Sequence, residues 1–219
     1  KTQLEGAMKT RFVVGAIAVL MAALIAPADV DAQITLGLKG GANFSDLSNV
    51  ADQWETASET SFVGGAYALI GFGGKFGIQP ELLYSQRSSS LSFSGESGKL
   101  TTTYFEVPLL LNYRLLTGLI EPQIYAGGSA SFETECKIDP SDSTPEDGCD
   151  VIADWETNST LWAGIVGAAV DLDLGIFEFG VDARYNYGFT DIVPSGTDSP
   201  EGRWRYWSIM GQVGIAIGR

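Results

Sequence analysis

The chain has 219 residues, with 13 basic against 27 acidic side chains, a formal net charge of −14 and no histidine. That charge excludes nucleic acid as a partner, because phosphate recognition needs a basic footprint. The missing histidine excludes Ser-His-Asp and Cys-His mechanisms and, with only two thiols in the chain, makes a metal site a weaker reading than a disulfide.

From Met8 the chain reads as a basic start (Lys9, Arg11), an apolar run over 12–25, then Pro27 and the small-residue stop Val30-Asp31-Ala32. This order is that of a cleavable signal peptide, and it predicts a start at Met8 and cleavage after Ala32. Fourteen helical residues span only about 21 Å, short of a hydrocarbon core of about 30 Å, so a transmembrane helix fits less well. Residues 1–7 precede that start and are set aside with the signal peptide. The basic residues Lys1, Lys9 and Arg11 cancel Glu5, Asp29 and Asp31, so residues 33–219 keep the whole acidic excess. No other segment approaches 18 consecutive apolar residues. If residues 33–219 sit in a membrane they do so as a closed barrel, the other architecture that satisfies its backbone in lipid.

Over 33–219 a period-2 pattern recurs eight times, at roughly 34–44, 61–72, 75–88, 100–115, 120–133, 159–173, 176–190 and 204–218. In the fourth run Phe105, Val107, Leu109, Leu111, Tyr113 and Leu115 share one face, and Thr102, Tyr104, Glu106, Asn112 and Arg114 share the other. A soluble sandwich also alternates, but its wet face tolerates anything. Here the polar face mixes charges with small residues, as in Thr35, Gly37, Lys39, Gly41 and Asn43, which suits a narrow barrel interior. Connections alternate long and short: 45–60, 89–99, 134–158 and 191–203 are long, whereas 73–74, 116–119 and 174–175 are short. That asymmetry, with an even strand count returning both ends to one side, is the pattern of outer-membrane barrels. Tyr84, Tyr113, Phe132, Trp162, Tyr185, Tyr187, Phe189 and Trp207 fall on the apolar phase, as interfacial girdles require. Pro80, Pro108 and Pro122 lie inside predicted strands, where a missing N–H predicts local bulges.

The inward phase collects Lys39, Glu81, Arg87, Glu106, Arg114, Asp171, Glu178, Asp182 and Arg184. Unpaired buried charge is very costly, so the expectation is a lumen network of ion pairs filling an eight-stranded interior, with no diffusion pore. The competing reading makes Glu81 and Glu106, on adjacent strands, a carboxylate pair for catalysis. No phosphate-cradling signature appears; Gly71, Gly73 and Gly74 read as a hairpin turn. Cys136 and Cys149, 13 apart in a polar stretch of an exported chain, predict a disulfide stapling a loop. Residues 133–157 hold nine acids against the single base Lys137, in no EF-hand spacing, which predicts a solvated, self-repelling loop rather than a calcium site.

Four segments carry a resemblance: Gly37-Leu38-Lys39-Gly40-Gly41-Ala42-Asn43-Phe44, Gln79-Pro80-Glu81-Leu82-Leu83-Tyr84-Ser85, Tyr104-Phe105-Glu106-Val107-Pro108-Leu109-Leu110-Leu111 and Pro122-Gln123-Ile124-Tyr125-Ala126-Gly127-Gly128. With the strand layout, they resemble the outer-membrane β-barrel domain family related to PorT, similar in architecture to OmpA/OmpX-type barrels. The resemblance implies fold and place: an all-β, eight-stranded antiparallel up-and-down transmembrane barrel in the bacterial outer membrane. Many such barrels end on an aromatic residue, whereas this chain ends Gly214-Ile215-Ala216-Ile217-Gly218-Arg219. The expected function is non-enzymatic, a structural or interaction role with acidic extracellular loops. It needs no cofactor and no metal. Outer-membrane lipid, the barrel-assembly machinery and an extracellular or envelope protein are the expected partners of a monomer. A soluble lipocalin-like periplasmic barrel, or a barrel binding a cation or protein through its loops, is the alternative.

Overall fold

The computed structural model describes residues 33–48, 55–93, 96–140, 147–148, 160–191 and 202–217; the expected signal peptide lies outside them. Eight long strands form the wall: β1 (Ile34–Ser48), β2 (Glu55–Phe72), β3 (Phe76–Phe93), β4 (Glu96–Arg114), β5 (Ile120–Pro140), β7 (Thr160–Asp173), β8 (Phe177–Gly188) and β9 (Arg203–Ile217). A two-residue strand, β6 (Asp147–Gly148), pairs with β5 at Lys137 and Ile138. Every wall strand is antiparallel to both neighbours, and pairing of β1 with β9 and of β4 with β5 closes the sheet. The barrel thus has no edge that lipid would leave unsatisfied.

Local sequence explains the three short turns. Gly73 and Gly74 both take positive φ (61° and 76°), the requirement of a hairpin that continues the strand twist. Gly118 and Gly175 do the same at the turns 115–119 and 174–176.

Alternation then sorts the side chains. Thirty large hydrophobic side chains are exposed among the described residues, far beyond what a water-soluble surface carries, and they occupy the outward phase of the strands and the short turns. Aromatics gather at two heights. Near the end with the long connections, Tyr84, Phe105 and Phe132 are directly paired across β3, β4 and β5, and Tyr185, Trp207 and Phe44 across β8, β9 and β1. At the short-turn end Phe72, Phe76 and Tyr113 cluster, with ring centroids 6.3 Å and 5.0 Å apart along the series. From Phe62 to Phe72 a tilted strand of this length rises about 25 Å, the height of an outer-membrane apolar band.

The strands of one side run longer than the pattern predicts: β2 begins at Glu55, β3 and β4 extend to Phe93 and Glu96, and β5 reaches Pro140. Polar residues dominate there, Leu91, Phe93 and Ile138 apart, so period-2 hydrophobicity fades where the strands do not end. The bulges also differ from expectation. The register passes Pro80, Pro108 and Pro122 without shifting, and the irregularities fall at Ser58/Val63 and Thr103/Tyr104. At the first two prolines the β3–β4 ladder is interrupted between Pro80/Leu109 and Leu83/Glu106 and resumes in the same register. Neighbouring pairs on both strands hold the register across that gap.

Candidate functional site

The inward phase forms a stack of polar tiers, ordered here from the short-turn end. In the first, Thr35 of β1 donates to Glu178 Oε1 at 3.2 Å, and Gln123 and Gln212 each donate to Asp171 at 2.6 Å from opposite sides. Arg114 pairs with Glu121 at 3.5 Å and reaches Gln33 Oε1 at 3.3 Å. This tier holds three carboxylates, Glu121, Asp171 and Glu178, against one cation, Arg114, so it is acidic on balance.

The second tier is charge-balanced. Lys39 Nζ lies 2.8 Å from Glu81 Oε1 and 3.2 Å from Asp182 Oδ2, and the Lys39 and Glu81 side chains have no solvent exposure. Arg184 completes a ring: Nη1 donates to Glu81 Oε2 at 2.8 Å, Nη2 to Oε1 at 3.1 Å, and Nε to Asp182 Oδ1 at 3.1 Å. Gln79, two residues before Glu81 on the same face of β3, adds a 2.6 Å bond to Glu81 Oε1. Two cations and two carboxylates thus cancel with none of their side chains more than 2% exposed, the arrangement that makes buried charge tolerable. Tyr67 and Tyr125 flank the ring, with Lys39 5.0 Å and Arg184 5.6 Å from their centroids.

The third tier centres on Arg87. Its Nη2 donates to Glu106 Oε2 at 2.9 Å, to Ser131 Oγ at 2.9 Å and to the Tyr206 hydroxyl at 2.8 Å. The guanidinium lies between two rings, 4.4 Å from Tyr104 and 4.5 Å from Tyr206, and Tyr206 donates onward to Glu106 at 3.1 Å. A planar, weakly hydrated cation suits such stacking better than an ammonium does. Beside it Ser208 donates to Asn43 Oδ1 at 2.7 Å, and Asn43 donates to Ser85 Oγ at 3.0 Å. Trp204 closes this end, its indole N–H bonded to the Tyr104 hydroxyl at 3.1 Å.

Of the nine charged residues of the inward phase eight are buried and Arg114 is part-exposed, and they lie in separate tiers. Glu81 and Glu106 do not form a pair: each takes its own cations, Arg184 with Lys39 and Arg87 respectively. Sequence reasoning missed Tyr104, Tyr206 and Trp204 as network members. Their signal was available, since all three sit on the polar phase where an aromatic needs a partner for its polar atom. Among the described residues no carboxylate or thiol set gathers in metal-binding geometry. Cys149 lies outside the described residues; Cys136 sits on β5 opposite Thr102. Of the acidic stretch 133–157, the first part is β5 and most of the remainder lies outside the described residues.

Against known proteins, the profile of the outer membrane protein beta-barrel domain matches residues 28–193. No curated protein matches the chain. Among solved structures, the outer membrane protein OprG from Pseudomonas aeruginosa aligns with a TM-score of 0.52 at 13% identity, over 87% of this chain and 100% of that one. Neisserial surface protein A aligns with a TM-score of 0.48 at 13% identity, over 82% and 96%. The attachment invasion locus protein Ail of Yersinia pestis aligns with a TM-score of 0.43 at 13% identity, over 84% and 98%. At 13% identity the likeness to OprG speaks to fold alone.

Proposed function

Since the chain belongs to the outer membrane protein beta-barrel domain family and is a barrel of the bacterial outer membrane, we propose that it acts there without catalysis, as a structural or interaction barrel whose lumen is closed by its own ion pairs. The observation that carries this reading is the second tier: Lys39, Glu81, Asp182 and Arg184 meet across the barrel with almost no solvent exposure. An eight-stranded interior is filled by side chains, and a cross-barrel ring at mid-height leaves no continuous aqueous path. Pairing of every charge in that tier leaves the tier itself no free carboxylate for acid–base chemistry. The lumen makes the wall rigid, and the extramembrane ends of β2 to β5, with the acidic loops and a Cys136–Cys149 staple, present the surface that meets other molecules. Residues 8–32 serve as the export signal, and the barrel-assembly machinery inserts a monomer.

The test is planar-bilayer recording on protein whose unboiled band on a denaturing gel migrates apart from the boiled one. A closed lumen gives no stepwise conductance at any applied voltage. Reproducible steps from folded wild-type protein would overturn it.

A further inference from the structure

Most lumen carboxylates have a cation close by: Glu81 and Asp182 in the second tier, Glu106 in the third and Glu121 in the first. Asp171 of β7 has none within 4.0 Å among the described residues. Two neutral carboxamides hold it instead, Gln123 Nε2 on Oδ2 and Gln212 Nε2 on Oδ1, each at 2.6 Å. Lys39 stands opposite Gln212 in register but is committed to Glu81 and Asp182, and Arg114 is committed to Glu121. Glu121 itself faces Asp171 directly across β5 and β7, and like charges so placed repel.

The polar atoms around Asp171 point to a missing positive charge. Gln123 and Gln212 are only 3% and 9% exposed, yet Gln123 Oε1 and Gln212 Oε1 are buried and accept no hydrogen bond. Asn112 lies on the inward phase of β4, two positions from Arg114, which stands opposite Gln123. It is 1% exposed, and neither of its amide atoms has a partner. Buried polar atoms of this kind are costly to leave unpaired. Gly180 of β8 lies in register between Asp171 and Gln212. Its φ is not positive, so space rather than backbone conformation calls for glycine: a Cβ there would collide with Asp171 Oδ1. The bare position lets the carboxylate lie across β8 and reach Gln212.

The place is also accessible. The Arg114 and Glu121 side chains are 11% and 12% exposed, whereas those of Lys39 and Glu81 are not exposed at all, so the first tier opens where the second is closed. Carboxylate and carboxamide oxygens are the donors of a hard cation, and an amide turned over places Oε1 nearly where Nε2 was. No three carboxylates converge on one point among the described residues, so an ion here takes one carboxylate, the two carboxamide oxygens and water. Three carboxylates against Arg114 leave the tier short of two positive charges, which one divalent ion supplies. Calcium accepts amide oxygens in irregular geometry more readily than magnesium does.

We propose that Asp171, Gln123 and Gln212 bind a calcium ion that enters from the short-turn end and ties β5, β7 and β9 together inside the barrel. The site goes beyond the closed-lumen reading and does not depend on it.

The test uses folded protein, recognised by its heat-modifiable band, in neutral detergent free of lipopolysaccharide and after chelation. Equilibrium dialysis against radioactive calcium reads the ions bound, and the urea midpoint with and without calcium reads their coupling to the fold. Asp171→Asn should bind one calcium fewer than wild type, and calcium should raise the midpoint of wild type but not of the variant. Without calcium the variant should be at least as stable as wild type, because it removes a buried charge that has no cation. Gln123→Leu should weaken the site roughly tenfold, and Glu135→Gln, on the exposed part of β5, should leave it intact. Equal binding by wild type and Asp171→Asn would place all the calcium on the acidic loop and overturn the site, as would wild-type protein that binds none or a midpoint that calcium raises equally in both. Should Asp171→Asn lose its heat-modifiable band, Gln123→Leu and Gln212→Leu are read in its place with the same opposed outcomes. Stepwise conductance in a bilayer would overturn the closed lumen and leave this site standing.

Discussion

Replacing Glu81 by Gln keeps the side chain's shape and removes one charge from the most enclosed tier. Glu81 accepts four hydrogen bonds, from Lys39, from two nitrogens of Arg184 and from Gln79. A Gln can accept some of these through one oxygen, but its amide nitrogen then faces cations, and Lys39 and Arg184 are left with Asp182 alone. Stranding a buried cation in this way costs about 3–5 kcal/mol. Lys39→Met together with Glu81→Gln restores neutrality, with Arg184 still paired to Asp182, so the double variant loses only about 1–2 kcal/mol and the cycle shows coupling of about 2 kcal/mol or more. Urea unfolding in lipid vesicles, followed by the fraction of unboiled band that keeps folded mobility, reads this as a midpoint lowered by at least about 1 M in the single variant. A single variant within about 0.5 kcal/mol of wild type, or a double variant at the sum of the two singles, would refute the claim that this ring is a mutually dependent unit.

Two glycines, one inward and one outward, separate packing from propensity: a Cβ at Gly41 would collide with the Ile209 carbonyl oxygen, whereas nothing lies within 4 Å of one at Gly211. Gly41→Ala should lower the folded yield in vesicles through a backbone clash costing about 1–3 kcal/mol, and Gly211→Ala should leave it unchanged or improved by a few tenths of a kcal/mol, about what relief of glycine entropy supplies. Glu59, on the part of β2 above the aromatic belt, is held below its ordinary value of 4.5 by the Ser90 hydroxyl and then by Lys99. Its folded-state value is lowered, so its contribution exists above the unfolded value and disappears as pH falls below 4.5 toward the folded one; the difference in urea midpoint between wild type and Glu59→Gln should therefore be small at pH 7 and shrink as the pH is taken below 4.5. For the staple, maleimide labelling of unreduced protein should modify neither cysteine, and Cys149→Ser should make Cys136 reactive.

The sequence by itself determined which residues face lipid and which face one another. A period of two assigns every side chain of a strand to a face, and eight such runs with alternating long and short gaps leave a barrel as the arrangement that buries the polar phase. Lys39, Glu81, Asp182 and Arg184 were legible as inward charges for that reason. Which of them meet was not legible, because Lys39 and Asp182 are 143 positions apart and Glu81 and Arg184 are 103 apart, and alternation along one strand says nothing about height relative to the strand across the lumen. Closure decides that: with β1 bonded to β9, the register brings Lys39 to the level of Gln212, and the tilt of the wall then sets which tier each charge joins. The same holds for Arg87, whose stacking between Tyr104 and Tyr206 needs three strands that touch only once the sheet has closed. The proline bulges were misread for a related reason. Missing N–H groups at Pro80 and Pro108 are local facts, but the register across them is held by β3–β4 pairs on both sides of the gap, which the pattern along either strand does not show.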